Sequence, residues 1–278
     1  MNPRRIAAAA MAAGVAAGLA ACGSDDGSSD SGSGGGSSIK IGIKFDQPGL
    51  GLKEGSEYTG MDVDVAKYVA KKLGYSDDKI QWVQAPSAQR ETLISTGQVK
   101  LVVATYSITD ERKEKVGFAG PYFIAGQDLL VRSDDTSITG PDSLKGKKLC
   151  SVTGSTSAQN VKKKVPGVNL QEFGTYSECV AALASKGVDA LTTDNTILAG
   201  YAAQDQYKGK LKVVGQPFSE ERYGIGLKKG DTDLCTKVTD AVKSMISDGS
   251  WQKFVDDNLG PAGFKPGAGN PPTPDACS

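Results

Sequence analysis

The sequence predicts an α/β fold of two lobes, each a mainly parallel sheet flanked by helices, with a ligand cleft between them. Three observations support this. From Ile39 onward, strand-like stretches alternate with segments whose apolar residues recur at helical spacing, the pattern of a parallel sheet with helices on its faces. The alternation starts afresh near residue 128. A late segment, 221–231, reads as a return to the first unit, so the chain crosses between lobes near 126–131 and again near 216–223. The expected organisation is residues 39–127 plus 219–278 for the first lobe and 128–218 for the second. Two crossings suit hinge closure.

In order, "IKIGIKF" (39–45) reads as a strand. "GMDVDVAKYVAKKLGY" places Met61, Val65, Tyr68, Val69 and Leu73 on one helical face, with Gly74 as its stop. "KIQWVQA" (79–85) is a second strand. "SAQRETLISTGQ" is a helix with Ser87 as N-cap, and "KLVVATYS" (100–107) is a third strand. "DLLVRSD" (128–134) leads out of this unit. "SLKGKKLCSV", "VNLQEF" and "VDALTTD" then read as strands, separated by the helices "GSTSAQNVKKKV" and "TYSECVAALASKG". "KLKVVG" (210–215) is a further strand. Two amphipathic helices, "DLCTKVTDAVKSMISDG" and "SWQKFVDDNL", precede a tail rich in proline and glycine. The repetition is one of architecture rather than of short sequence units, which argues against a solenoid.

Composition narrows the chemistry. The 32 basic and 32 acidic side chains balance, which gives no support for nucleic-acid binding. No histidine is present, which removes Ser-His and Cys-His nucleophiles and His-rich metal sites. Neither a cofactor nor a metal is expected. The N-terminus has Arg4 and Arg5, a short apolar run from Ile6 to Ala21, and then Leu19-Ala20-Ala21-Cys22, which resembles a lipobox. Residues 1–21 are therefore expected to be a signal peptide and Cys22 the lipid-modified residue. Residues 22–38 would form a Gly/Ser/Asp tether whose last sixteen residues reach roughly 20–25 Å. This places the body outside the cytoplasmic membrane, anchored to its outer face. With Cys22 assigned to lipid, Cys150, Cys179, Cys235 and Cys277 allow three disulfide connectivities. Cys150–Cys179 and Cys235–Cys277 are favoured, because each pair falls inside one proposed unit.

Ligands in such sheets bind at the carboxyl ends of the strands. The charged stretch "ITDERKEKVGF" follows one such end, and locally Arg112 reads equally well as a solvated charge. "TGSTS" (153–157) reads locally as a helix cap, and Asp194 in "LTTDNT" as an N-cap. The order from "GMDVDVAKYVAKKLG" through "SAQRETLISTGQVKLVVATYSITDERKEKVGFAGPYF" to "GSTS" and "TTDN" resembles family 3 extracellular solute-binding proteins. These are the polar amino-acid receptors of ABC importers, with the two-lobed type II periplasmic-binding-protein-like fold. "IGIKFDQPGLGLK" and the four cysteines are most similar to the glutamate-binding lipoproteins of actinobacteria.

The resemblance implies a site. Arg112 would grip the ligand's α-carboxylate bidentately, and Ser107 would add its amide and hydroxyl. Ser155 and Thr156 would donate from the second lobe, where Val152 stands in place of the family's frequent lysine. Asp194 and the Thr105 carbonyl would hold the ammonium. Asp46 in "KFDQPG" is a further first-lobe contact or an ordinary turn residue. Arg90 would select an acidic side chain, with Lys44 as an assistant whose direction alternation leaves open. The implied function is capture of L-glutamate, with aspartate or glutamine as alternatives, by a monomer that delivers it to ABC permease subunits. Other readings are an amino-acid sensor lipoprotein and a dehydratase-like enzyme on the same fold. No catalytic motif supports the enzyme reading.

Overall fold

The computed structural model describes Ser38–Cys277. The expected signal peptide, Cys22 and the tether up to residue 37 lie outside the described residues. β1 (Ile39–Ile43) is followed by a small antiparallel sheet of β2 (Asp46–Gln47), β3 (Gly51–Glu54) and β4 (Glu57–Thr59). α1 (Met61–Lys72), β5 (Ile80–Gln84), α2 (Arg90–Ser95) and β6 (Leu101–Val102) come next. The short α3 (Asp110–Lys113) leads to β7 (Gly117–Ala125). β13 (Glu221–Leu227), far along the chain, completes a five-stranded sheet in the order β5-β1-β6-β13-β7.

Only Gly126 separates β7 from the first strand of the second sheet. β8 (Gln127–Arg132), β9 (Lys148–Val152), α4 (Thr156–Lys164), β10 (Asn169–Phe173), α5 (Tyr176–Ala184), β11 (Ala190–Asp194), α6 (Asn195–Ala203) and β12 (Leu211–Val213) follow in turn. The sheet order is β10-β9-β11-β8-β12. After β13, α7 (Thr232–Ser247) and α8 (Ser250–Asn258) pack with α1 on the first sheet. Each five-stranded sheet is mixed: three parallel strands are extended by two antiparallel pairings. The antiparallel members are those next to the crossings, where the chain reverses direction instead of returning through a helix.

Both sheets are covered on both faces. In the second, Leu129, Val131 and Leu149 point toward Val161 of α4, while Leu130, Cys150 and Leu191 join the larger core beneath α5 and α6. Strands buried on both sides read as continuous apolar runs, which is why their existence was legible. β7 was not anticipated, because Gly117, Gly120 and Pro121 mask it. It is a sheet-edge strand, where a residue without an N–H is tolerated. The C-terminal tail lies along it. Asn270 accepts from the Ile124 amide (3.0 Å) and donates to its carbonyl (2.8 Å), and the Asp275 amide donates to Gly120 (2.7 Å).

Disulfides join Cys150 to Cys179 and Cys235 to Cys277. The first ties β9 to α5 across 29 residues. Closing such a loop stabilises by about 2–4 kcal/mol, mainly through the unfolded chain. The double variant Cys150→Ala/Cys179→Ala should lose about that much in chemical denaturation, and an unchanged midpoint would contradict this role.

Candidate functional site

The parallel strands of both sheets direct their carboxyl ends to one interface. Lys44 follows β1, Ser87 and Arg90 follow β5, and residues 104–107 follow β6; Ser155 follows β9, and Asp194 ends β11. All are at most 8% exposed, as are Arg112 and Thr156. Larger surface hollows, of about 360 and 430 Å³, flank Ile39 and Lys100 at the amino ends of these strands, away from this buried set.

Arg112 spans the interface. Its Nη1 donates to the Ser107 carbonyl (2.7 Å), its Nη2 to the Gly154 carbonyl of the other half (3.2 Å), and its Nε pairs with Glu91 (3.4 Å). Those bonds use three of its five N–H groups. α3 positions it: the Thr109 hydroxyl caps that turn by accepting from the Arg112 amide. The rest of "DERKEK" stays at the surface, apart from half-buried Lys113.

Arg90 is buried deeper, at 2% exposure. Nη1 donates to the Ala104 (3.0 Å) and Thr105 (3.4 Å) carbonyls, and its Nε has no hydrogen-bond partner among the described residues. Both guanidiniums lie over the Tyr106 ring, Arg90 Cζ 4.3 Å and Arg112 Cζ 5.0 Å from its centroid. An aromatic face attracts each cation and helps them tolerate one another. Burial and the charge of Arg112 lower the Arg90 pKa to about 10. Lys44 also turns inward, and its Nζ donates to the Ser87 hydroxyl at 2.8 Å. Burial, then Arg90, lowers its pKa to about 7. Ser87 was expected to cap the following helix; it makes no cap and serves Lys44 instead.

Thr105 has φ of +44°, a conformation that strains a β-branched residue. Its amide is held by Asp62 (2.8 Å), whose other oxygen accepts from the Tyr122 hydroxyl (2.6 Å). Burial raises the Asp62 pKa to about 6. Sequence reasoning passed over Asp62 because "GMDVD" was read for its apolar face. A carboxylate flanked by core residues at a helix start was the available signal.

In the second half, Ser155 caps α4 by accepting from the Ala158 amide at 3.0 Å. The Thr156 hydroxyl donates to Glu221 (2.8 Å) and lies 3.4 Å from the Ser107 hydroxyl. Asp194 accepts from the hydroxyls of Tyr223 (2.7 Å) and Ser157 (3.4 Å). Burial raises its pKa to about 7, reinforced by the nearby charge of Glu221. Glu221 and Tyr223 were not anticipated, because both lie on the returning strand β13, which was read only as a crossing. Asp46 stands apart from this set. Its Oδ2 accepts from the Tyr176 (3.0 Å) and Ser177 (3.2 Å) amides at the start of α5. The interface thus offers cations from the first half and, from the second, a helix N-terminus, hydroxyls and a carboxylate, together a match for a zwitterion.

The model of the bacterial extracellular solute-binding proteins, family 3, matches residues 39–261. Glutamate-binding protein GluB of Corynebacterium efficiens is 49% identical over 234 residues, which cover 80% of this chain and 79% of that protein. The ABC transporter glutamine-binding protein GlnH of Bacillus subtilis is 39% identical over 218 residues, covering 78% and 79%. Among solved structures, an ancestral arginine-binding protein bound to glutamine superposes with a TM-score of 0.75 at 36% identity. That match covers 80% of this chain and 98% of the other.

The raised Asp194 pKa has a testable sign. The folded state keeps a proton that the unfolded chain loses above pH ~4, so this group's contribution to stability falls as pH rises from there through about 7. Asp194→Asn should therefore gain about 2 kcal/mol relative to the unmodified protein between pH 5 and pH 8. Denaturant midpoints at the two values measure it, and a pH-independent difference would contradict the assignment.

Proposed function

The chain belongs to the bacterial extracellular solute-binding proteins of family 3, and on that premise we propose that it captures L-glutamate and delivers it to the membrane subunits of an ABC importer. It is an amino-acid-binding receptor and not an enzyme. One observation carries the choice of glutamate. Arg90 and Lys44 are both buried with only carbonyl and hydroxyl hydrogen-bond partners, and among the described residues neither makes an ion pair with a carboxylate, Asp46, Asp62 and Glu91 acting on them without direct pairing. A buried cation with no directly paired carboxylate is costly, and a second carboxylate on the ligand would pair with it.

In this reading the free N–H groups of Arg112 take the α-carboxylate, helped by Ser107 and by Ser155 and Thr156 at the start of α4. Asp194, held by Tyr223, takes the ammonium. Arg90 and Lys44 take the side-chain carboxylate, and a neutral amide there leaves one buried charge unmatched. Hinges are proposed at the two crossings, Gly126 between β7 and β8 and residues 214–220 between β12 and β13, beside the expected boundaries at 127/128 and 218/219. Glutamate then favours the closed arrangement because it contacts both halves at once. Closure alters the outer surface offered to a permease.

Calorimetry with a panel of polar amino acids tests this. Arg90→Gln should weaken glutamate by about 10–100-fold and glutamine by far less, in line with one lost charged hydrogen-bonding group. Equal losses for both would reject Arg90 as the selector, and glutamine or aspartate binding more tightly to the unmodified protein would reject glutamate.

The same proposal includes a lipid anchor at Cys22, supported by the lipobox-like "LAAC". Cys22→Ala should move the protein out of the membrane fraction, and persistent attachment would reject the anchor.

A further inference from the structure

The residues of the proposed binding site are almost entirely buried, so an amino acid can enter only if the two halves part. Some contact other than the ligand must then set how readily they close. One such contact is well built and lies outside the ligand set. α5 has nine residues, and its initial amides need acceptors. Its own capping box satisfies part of that need: the Thr175 hydroxyl accepts from the Glu178 amide, and the Glu178 carboxylate accepts from the Thr175 and Gly174 amides. The Tyr176 and Ser177 amides remain, and they donate to the Asp46 carboxylate from the other half. The Tyr201 hydroxyl donates to the Asp46 carbonyl and, at 3.2 Å, to Oδ2.

Beside this contact, α6 meets the Pro48-Gly49 turn at Gly200. A Cβ at Gly200 would sit 2.1 Å from the Pro48 carbonyl oxygen. The turn cannot yield easily, because the Leu50 amide donates to the Gln47 carbonyl and the Met61 amide to that of Gly49. A side chain at position 200 is therefore incompatible with the closed arrangement, although a helix interior ordinarily prefers alanine to glycine.

We propose that Asp46 is a closure latch: its carboxylate docks on the N-terminus of α5 and, with Gly200 admitting Pro48, holds the two halves together independently of which amino acid is bound. The inference rests on the reading above that the halves part and close around a ligand. A carboxylate at a helix N-terminus is favoured by charge-assisted hydrogen bonds and by the helix dipole. Its loss shifts the open–closed balance and appears chiefly as faster release.

The test uses the full chain and its Asp46→Ala and Gly200→Ala variants. Hydrogen exchange reports the Tyr176 and Ser177 amides, and stopped-flow reports release of glutamate and glutamine. Asp46→Ala should expose both amides and speed release of both amino acids alike, by roughly 10-fold or more. Gly200→Ala has no polar group with which to touch a ligand, so it should speed release to a similar degree with no drop in thermal midpoint. Unaltered amide protection in Asp46→Ala, or unaltered release in both variants, would overturn the latch. Faster release of one amino acid only would make Asp46 a ligand contact instead. If the unmodified protein binds no amino acid, the functional reading fails, while the exchange of the two amides still decides whether Asp46 holds α5.

Discussion

Three cations, Lys44, Arg90 and Arg112, share one water-poor interface, and much of the surrounding structure makes their burial tolerable. Desolvation and mutual repulsion both act against charge there, as the lowered pKa values of Lys44 and Arg90 express. Backbone carbonyls at positions 104, 105, 107 and 154 turn toward the guanidiniums, and the Tyr106 ring lies within cation–π reach of both. The strained Thr105 follows from this. Its carbonyl must face Arg90 while its amide faces Asp62, and φ is positive at the residue that does both. Asp62 in turn is fixed by Tyr122 from β7. A binding protein that keeps such a cluster pre-arranged spends little on ordering side chains when its ligand arrives.

The two sides of the interface differ in kind. The first half presents mostly fixed cations, whereas the second presents hydroxyls, a helix start and a carboxylate that is poised near neutrality. Glu221 belongs to β13 of the first sheet, yet its side chain serves Thr156 and Asn160 of α4. It also accepts from Ser219 in the second crossing. Motion of that crossing is thereby tied to the start of α4.

Much of this was legible in the sequence, for a definite reason. Arg90, Ser155, Thr156 and Asp194 lie at or a few residues past the carboxyl ends of strands, which apolar runs and the polar residues that stop them make legible; their roles, and that of Arg112 on α3, were implied only by the resemblance to the family. What escaped was set by contacts distant in sequence. The inward turn of Lys44 depends on Ser87, 43 residues on, and Asp62 depends on Thr105 at the same separation. Tyr223 reaches Asp194 from a strand that returns late in the chain. Asp46 was placed near the cleft on its local motif, but its partner is the first turn of a helix 130 residues away. Strand β7 was hidden by its glycines and proline, and only its pairing with β13 reveals it.

The tail that lies along β7 has a consequence of its own. β7 is the last strand of its sheet, and an uncovered last strand offers a row of amides and carbonyls to any neighbouring chain. Asn270 occupies both backbone groups of Ile124, Asp275 occupies Gly120, and the pairing of Asp275 with Arg222 and the Cys235–Cys277 bond fasten the segment in place. Copies of one chain meet one another often wherever the protein is concentrated. A sealed sheet edge keeps such encounters from growing into strand-by-strand aggregates, and the bond that seals it forms only where the surroundings are oxidising.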